Sequence, residues 1–239
     1  MQWFNLTFGD PAHDLAIDEA LLDWCEATES TGVLRFWESP EYFVVLGYAN
    51  HQAREVNLDQ CKQRGIPILR RCSGGGTVVQ GPGCLNYTLV LPEDMHVALS
   101  SISDSNRYIM DRQRQAVENA LGSSIEVQGH TDLIWQGRKF SGNAQRRRRR
   151  HLLFHGCFLL NFDLQMIHDI LNMPSSMPDY RQARSHADFV TNLPVNEVNL
   201  KAAIRNVWSA DQPMDPPPLE MVEKLVSERY GLPEWHSKY

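Results

Sequence analysis

Three consecutive glycines, Gly74-Gly75-Gly76, interrupt a β-rich stretch between residues 66–71 and 84–91, and this interruption constrains the chain more than any other feature. Three residues without Cβ neither extend a strand well nor start a stable helix, so the chain opens there into a loop with bare backbone N–H groups. Arg70, Arg71 and Ser73 precede the glycines, and Thr77 and Val78 follow them. The segment is either a flexible turn or a cradle for a carboxylate or phosphate. A strand leading straight in, the flanking arginines and a second turn at Gly81-Pro82-Gly83 favour the cradle. It is not a P-loop, because no Gly-Lys-Ser/Thr follows, nor a G-x-G-x-x-G that opens a helix.

Around this loop the pattern alternates between helical and β periods. Asp10-Pro11, followed by Leu15, Ile17, Leu21, Leu22 and Trp24, predicts a helix over residues 11–28 with Asp10 as N-cap. Residues 33–37 and 42–47 flank Glu38-Ser39-Pro40-Glu41 and predict a hairpin. Helices are expected over 58–64 and 105–121, ended by Gly65 and Gly122, with strands at 125–127 and 151–162 and a tight hairpin around Gly137. Later helices fall at 164–171, 201–208 and 219–230, the last two separated by Asp215-Pro216-Pro217-Pro218. Residues 172–187, rich in Pro, Ser, Met and Arg without a period, are expected to form a mobile loop. No repeat or interdomain linker is visible, which implies one α+β domain over residues 1–239.

A formal charge of −6 excludes an overall electrostatic attraction to nucleic acid. No window approaches the ~18 apolar residues of a membrane span. Cys25, Cys61, Cys72, Cys84 and Cys157 are widely spaced and contain no C-x-x-C pair, so neither a disulfide framework nor a structural zinc site is expected. A cytoplasmic location fits that usage.

Two further stretches carry chemistry. The chain has five lysines against eighteen arginines, so Lys139 within Gly137–Gln145 reads as a point charge with a specific task or as a solvated hairpin tip. His155-Gly156 breaks an apolar strand, as happens where a ligand or another backbone packs closely, although a lone buried His is more often a satisfied core residue. In this order, the arginine-serine-triglycine segment, Leu85-Asn86-Tyr87, Asp132-Leu133 with residues 137–145, and His155-Gly156 resemble the lipoate–protein ligase and octanoyltransferase group of the biotin/lipoate protein ligase superfamily.

The resemblance implies a mixed β-sheet flanked by helices. It implies an ATP-dependent ligase that activates lipoate or octanoate as acyl-AMP and passes the acyl group to a lysine of a lipoyl-acceptor domain, of E2 or of a glycine-cleavage H-like protein. Lys139 would act on the reacting carbonyl and α-phosphate. Arg70, Arg71, Ser73, Gly74, Gly75, Gly76, Asn86, His155 and Gly156 would bind the acyl substrate. Thr77, Val78, Asp132, Ser141, Gly142, Asn143, Arg181 and Arg184 would bind the nucleotide, with Asp132 near the Mg²⁺ that ATP carries. No C-terminal accessory domain is expected, so a separate accessory chain is a possible partner. Arg146 to Arg150 form either a solvated basic tip or a docking patch for an acidic acceptor.

The chain also departs from the family pattern, with Gly83-Cys84 for Gly-Asn, His130-Thr131 for Arg-Asn, and Cys157 for Thr after His-Gly. A cysteine-dependent octanoyl or lipoyl transferase and a non-catalytic lipoate-binding subunit are the alternatives. Transferases of this group carry a cysteine just before Asp-Leu or near the position of Asn172-Met173-Pro174, and this chain has none in either place. The apolar neighbours of Cys157 imply a raised thiol pKa and a packing role, while His155, two residues away and on the same face of a regular strand, keeps a Cys–His pair open as the transferase alternative.

Overall fold

Side-chain alternation along the strands decides the architecture of the computed structural model, which describes residues 1–214 and 217–239. The strands are β1 (Gln2–Asn5), β2 (Val33–Trp37), β3 (Phe43–Leu46), β4 (Ile68–Arg70), β5 (Val78–Gln80), β6 (Cys84–Pro92), β7 (Glu126–Gln128), β8 (Asp132–Trp135), β9 (Arg138–Arg147), β10 (His151–Leu159) and β11 (Gln212–Pro213). The helices are α1 (Pro11–Thr28), α2 (Gln52–Glu55), α3 (Leu58–Arg64), α4 (Ile102–Leu121), α5 (Leu164–Ile170), α6 (His186–Phe189), α7 (Glu197–Val207), α8 (Leu219–Leu225) and α9 (Pro233–His236). Eight strands form one mixed sheet in the order β11-β1-β2-β6-β10-β9-β8-β7, and β4-β3-β5 form a second, small one.

Leu34 and Phe36 of β2, Leu85 and Leu89 of β6, and Phe154 and Phe158 of β10 share a core with α4 and α7. The opposite face of the same strands meets α1 and the small sheet through Val33, Trp37, Val90 and Leu153. Each such side chain contributes roughly 1.5–3 kcal/mol on burial, so the sheet is held from both sides. The helices begin and end where local chemistry directs. Asp10 accepts from the His13 N–H (3.0 Å) with Pro11 in the first turn of α1, and Ser101 accepts from Asp104 N–H (3.1 Å) at the start of α4. Gly122 ends α4 in the left-handed region.

The expected hairpin between residues 33–37 and 42–47 does not form. β2 pairs with β1 and β6 in the large sheet, whereas β3 lies between β4 and β5 in the small one. All five β2 residues and all four β3 residues are buried, and two fully buried runs need partners on separate layers. The Gly137 hairpin is present, with a two-residue turn at Gln136-Gly137, but residues 137–145 are mostly strand β9 rather than a tip. The helix expected over 219–230 splits, since residues 226–230 widen into a π turn closed by Gly231 N–H onto Val226 O (2.8 Å). Residues 172–187 contain one 3₁₀ turn and the start of α6. Half of the 215–218 stretch, Asp215-Pro216, lies outside the described residues.

The arginine run is not a free basic patch. Arg147 pairs with Glu93 (2.6 Å), Arg148 with Asp23 (2.7 Å), Arg150 with Glu29, and Arg146 donates to Cys72 O (2.6 Å). The β9–β10 turn thereby clamps onto the acidic side of α1, and among the described residues only Arg149 of the five has no ion pair or side-chain hydrogen bond. Most of this charge is therefore paired within the fold, which weakens the docking-patch reading.

Arg35 is the one wholly buried arginine of β2, bonded to Asp14 (2.7 Å) and Asp18 (3.0 Å) of α1 and to Leu6 O. Burial holds the Asp14 carboxyl above its ordinary value despite Arg35. Burial also pushes Asp18 up, but hydrogen bonds from His155 and Thr88 and the charge of Arg35 outweigh it and hold Asp18 low. A carboxylate with a depressed folded pKa contributes stability above its unfolded pKa and loses it as pH falls through the folded one, whereas Asp14 ionises at some expense to the fold. We therefore expect Arg35→Leu, which strands two buried carboxylates, to lower unfolding free energy by about 3–5 kcal/mol in urea titrations. Asp18→Asn should destabilise more than Asp14→Asn at pH 7, and the reverse order would contradict the assignment of charge.

Candidate active site

The site grows from one row of residues across the sheet. Arg35 of β2 pairs in register with Thr88 of β6, and Thr88 with His155 of β10. All three side chains converge on Asp18 of α1, with Thr88 Oγ1 donating to Oδ1 (2.7 Å) and His155 Nδ1 donating to Oδ2 (2.7 Å). A carboxylate held ionised can only accept, so the ring proton sits on Nδ1. The other ring nitrogen, Nε2, lies 2.5 Å from the Ser73 hydroxyl. His155 is thus a fully satisfied interior residue, and it joins the triglycine loop to α1.

Arg71 shapes that loop. Its Nε donates to Ser73 Oγ (3.0 Å) and its Nη2 to the carbonyls of Gly74 (2.6 Å) and Gly76 (2.8 Å), which curls the turn around the guanidinium. Gly75 takes φ +87°, and a Cβ there would meet Arg71 Nη2 at 3.0 Å. No carboxylate lies within ion-pair distance of Arg71 among the described residues, and no partner is found for its Nη1. Burial lowers the guanidinium pKa to about 10.

Two connected cavities open beside this turn. The wide one, about 1020 Å³, is lined by Gly74, Gly75 and Gly76 on one side and by Asp179 and Tyr180 on the other. A narrow one, about 160 Å³, runs inward past Arg71 and His155 to Leu15, Trp37 and Val45. Thr77, Val78, Asp132, Lys139, Gly142, Asn143 and Cys157 line both, so they mark the junction. There Lys139 Nζ pairs with Asp132 (2.8 Å), and Asp132 also accepts from the Tyr180 hydroxyl. The lysine therefore projects from β9 into the junction rather than from an exposed tip.

Most residues singled out in the sequence meet here, but not all. Asn86, His155 and Gly156 line the narrow cavity, and Ser141 and Arg181 the wide one. Ser73 reaches neither cavity and acts through His155 and Arg71. Arg70 is not a substrate ligand, because its guanidinium donates to the carbonyls of Gly47, Tyr48, Asn50, Trp235 and His236 and so ties the C-terminal segment to the small sheet. Arg184 also lies outside both cavities, donating to Gly137 O (2.9 Å) and Tyr180 O (3.0 Å). The breadth of Gly156 is taken by protein, since a Cβ there would meet Asn143 Oδ1 at 1.7 Å. That amide is in turn fixed by the Tyr87 hydroxyl and Thr131 O.

Sequence reasoning missed Asp14 and Asp18, whose signal was two acidic residues four apart on the apolar side of a helix, with an arginine inside a β-run. It also misjudged Cys157. The neighbouring Cys84 thiol, with Lys139, the Gly142 N–H and Arg71, lowers the Cys157 pKa against burial.

The comparisons agree with this geometry. Residues 10–207 match the family model described as the lipoyl protein ligase A/B catalytic domain. The chain belongs to this family. It is 25% identical to octanoyltransferase LipM of Lysinibacillus sphaericus, with 99% of each chain covered. It is 27% identical to a putative lipoate-protein ligase A of Aeropyrum pernix, covering 95% of this chain and 79% of that one. Its fold matches the bi-partite lipoate protein ligase of Thermoplasma acidophilum, solved with its E2 lipoyl domain, at TM-score 0.81 and 26% identity over 99% of this chain and 95% of that one. The family is one of lipoyl and octanoyl ligases or transferases, and both names occur among these relatives. Among the described residues no helix is long and apolar enough to cross a membrane.

Cys25 and Cys72 are pushed up to about 12 by burial, whereas Cys157 is lowered and faces the cavities. Brief iodoacetamide treatment at pH 8 should label Cys157 ahead of the other four cysteines, as read by peptide mass spectrometry. Equal labelling of all five under native conditions would contradict the site geometry.

Proposed function

We propose that the chain is an ATP-dependent lipoate or octanoate protein ligase, which makes an acyl-adenylate and transfers the acyl group to a lysine of a lipoyl-acceptor domain. The observation that carries this reading is a pair of cations along the cavities, Lys139 at the junction and, in the narrow one, a buried Arg71 without a carboxylate partner. A buried unpaired guanidinium is unfavourable until an anion approaches it. A free carboxylic acid supplies that anion, whereas an acyl thioester does not. Attack of the carboxylate oxygen on the α-phosphorus forms the acyl-phosphate bond and releases pyrophosphate. The acceptor amine then adds to the acyl carbonyl, the C–O bond to phosphate breaks, AMP leaves and the amine loses a proton. Lys139 stabilises the charge on carbonyl oxygen and phosphate in both steps.

The wide cavity suits the nucleotide and the narrow one the acyl tail. Asp132 is suited to one position on the Mg²⁺ that ATP carries, a cation that takes one or two carboxylates beside phosphate oxygens. Among the described residues no group of three or more His, Cys, Asp or Glu could hold a metal by itself. The 172–187 segment would act as the cover. Tyr180 and Arg184 hold it down, and Gln182 and Ala183, both non-glycine at positive φ, strain it by about 1–3 kcal/mol each. The likeness to the two-part T. acidophilum ligase supports an acceptor of the E2 lipoyl type and a separate accessory chain.

A second reading rests on Cys157, whose lowered thiol at the junction could accept an octanoyl group from a carrier thioester, in line with the LipM likeness. The two readings separate cleanly. On the ligase reading, ATP with lipoate releases pyrophosphate without acceptor, Lys139→Ala lowers acyl transfer roughly 10²–10³-fold, and Cys157→Ser stays active. An octanoyl adduct on Cys157 formed without ATP, and transfer lost in Cys157→Ser, would establish the transferase instead.

A further inference from the structure

The narrow cavity is not wholly apolar. Leu15, Trp37 and Val45 line it, but so do Gln80 and Asn86. Gln80 follows Val78 by two residues along β5, one step farther from the triglycine turn, and lines the narrow cavity alone. It is 6% exposed, and Asn86 4%.

Their amides are oriented by a fixed acceptor. Asn86 Nδ2 donates to the backbone carbonyl of Cys84 (3.2 Å) and to Gln80 Oε1 (2.9 Å). The carbonyl settles which atom of Asn86 is nitrogen, and that nitrogen settles which atom of Gln80 is oxygen. Gln80 Nε2 is left as a donor, and Asn86 Oδ1 as an acceptor, with no hydrogen-bond partner among the described residues. A donor and an acceptor left open on the wall of a cavity penalise a hydrocarbon that displaces water from them.

Resting on the reading of this cavity as the acyl site, we propose that Gln80 and Asn86 select an acyl tail that carries sulfur at its far end over a plain alkyl tail. A sulfur atom is a weak acceptor for Gln80 Nε2 and packs as softly as a methylene, and in the reduced state an S–H can donate to Asn86 Oδ1. The terminal carbons of octanoate offer neither interaction.

Calorimetric titration of the intact protein with lipoate, dihydrolipoate and octanoate tests this without requiring catalysis. The sulfur-bearing acids should bind roughly three- to tenfold more tightly than octanoate, the range of one net hydrogen bond. Gln80→Leu should remove that preference, weakening the sulfur acids while octanoate binds as well or better. Retained octanoate binding shows that the variant is folded and its cavity open. If octanoate binding is lost too, Gln80→Glu serves instead. It keeps the size and shape of Gln80 but has no N–H, and should narrow the preference. Tighter binding of dihydrolipoate than of the cyclic form assigns the S–H to Asn86, and equal gains assign the effect to Gln80 alone. The proposal is overturned if wild type binds octanoate at least as tightly as the sulfur acids, or if the preference survives both substitutions. Pyrophosphate release is read separately: acids that bind with the expected order but release none overturn the ligase reading and leave the tail selection standing.

Discussion

The triglycine turn is anchored to a charge that the fold buries within its large sheet. Arg35 sits in the middle of the large sheet with no exposed surface and joins β2 to two carboxylates on α1. Desolvating three charged groups is unfavourable, and their mutual attraction offsets it only if the geometry is kept. What the arrangement secures is register. Asp18 can serve Arg35, Thr88 and His155 together only when β2, β6 and β10 are aligned as they are, and a slip of one residue would turn all three side chains to the opposite core. Because His155 holds Ser73, and Ser73 and the glycine carbonyls hold Arg71, the shape of the triglycine turn depends on that alignment.

The same logic explains why the arginines divide into two kinds. Arg70 and Arg71 are adjacent in sequence and point in opposite directions, since Arg70 ends β4. One closes five carbonyls around the C-terminal segment, and the other faces a cavity with one nitrogen free. Adjacent like charges at a glycine loop read as a joint anion site in the sequence, because sequence does not say which of two neighbours has already found acceptors. The run from Arg146 to Arg150 poses the same problem. Its acidic partners Asp23, Glu26 and Glu29 lie more than a hundred residues away, and nothing local announces them.

Local chemistry was legible where it is self-contained. Helix caps at Asp10, Gly65 and Gly122, the turn before Arg138, and the glycine loop itself are dictated by neighbours in sequence, and each appears where expected. Lys139 was recognisable as a candidate by its setting, though its exposure was misjudged because β9 starts directly after the turn at Gly137 and continues through Gly142. The assignment of β2 and β3 to different sheets was illegible. Two buried runs four or five residues apart have the composition of a hairpin, and only the partners β6 and β5 decide otherwise.

Cys157 shows how far an environment can depart from its sequence neighbours. Phe154, Phe158 and Leu160 suggested an apolar surrounding, yet alternation sends Phe154 and Phe158 to the far face of β10 and leaves Cys157 among Cys84, Lys139 and Arg71. A strand therefore has two environments, and a residue's own face is read at positions two apart, not one. By that rule the neighbours that matter to Cys157 are His155 and Leu159 in sequence and Asn86 across the ladder, a mixed row that is apolar toward Leu159 and polar toward His155 and Asn86. Cys157 and Lys139 both line the two cavities there. Two cations flank it from separate supports, Arg71 through the Ser73–His155–Asp18 chain that Arg35 completes and Lys139 through Asp132.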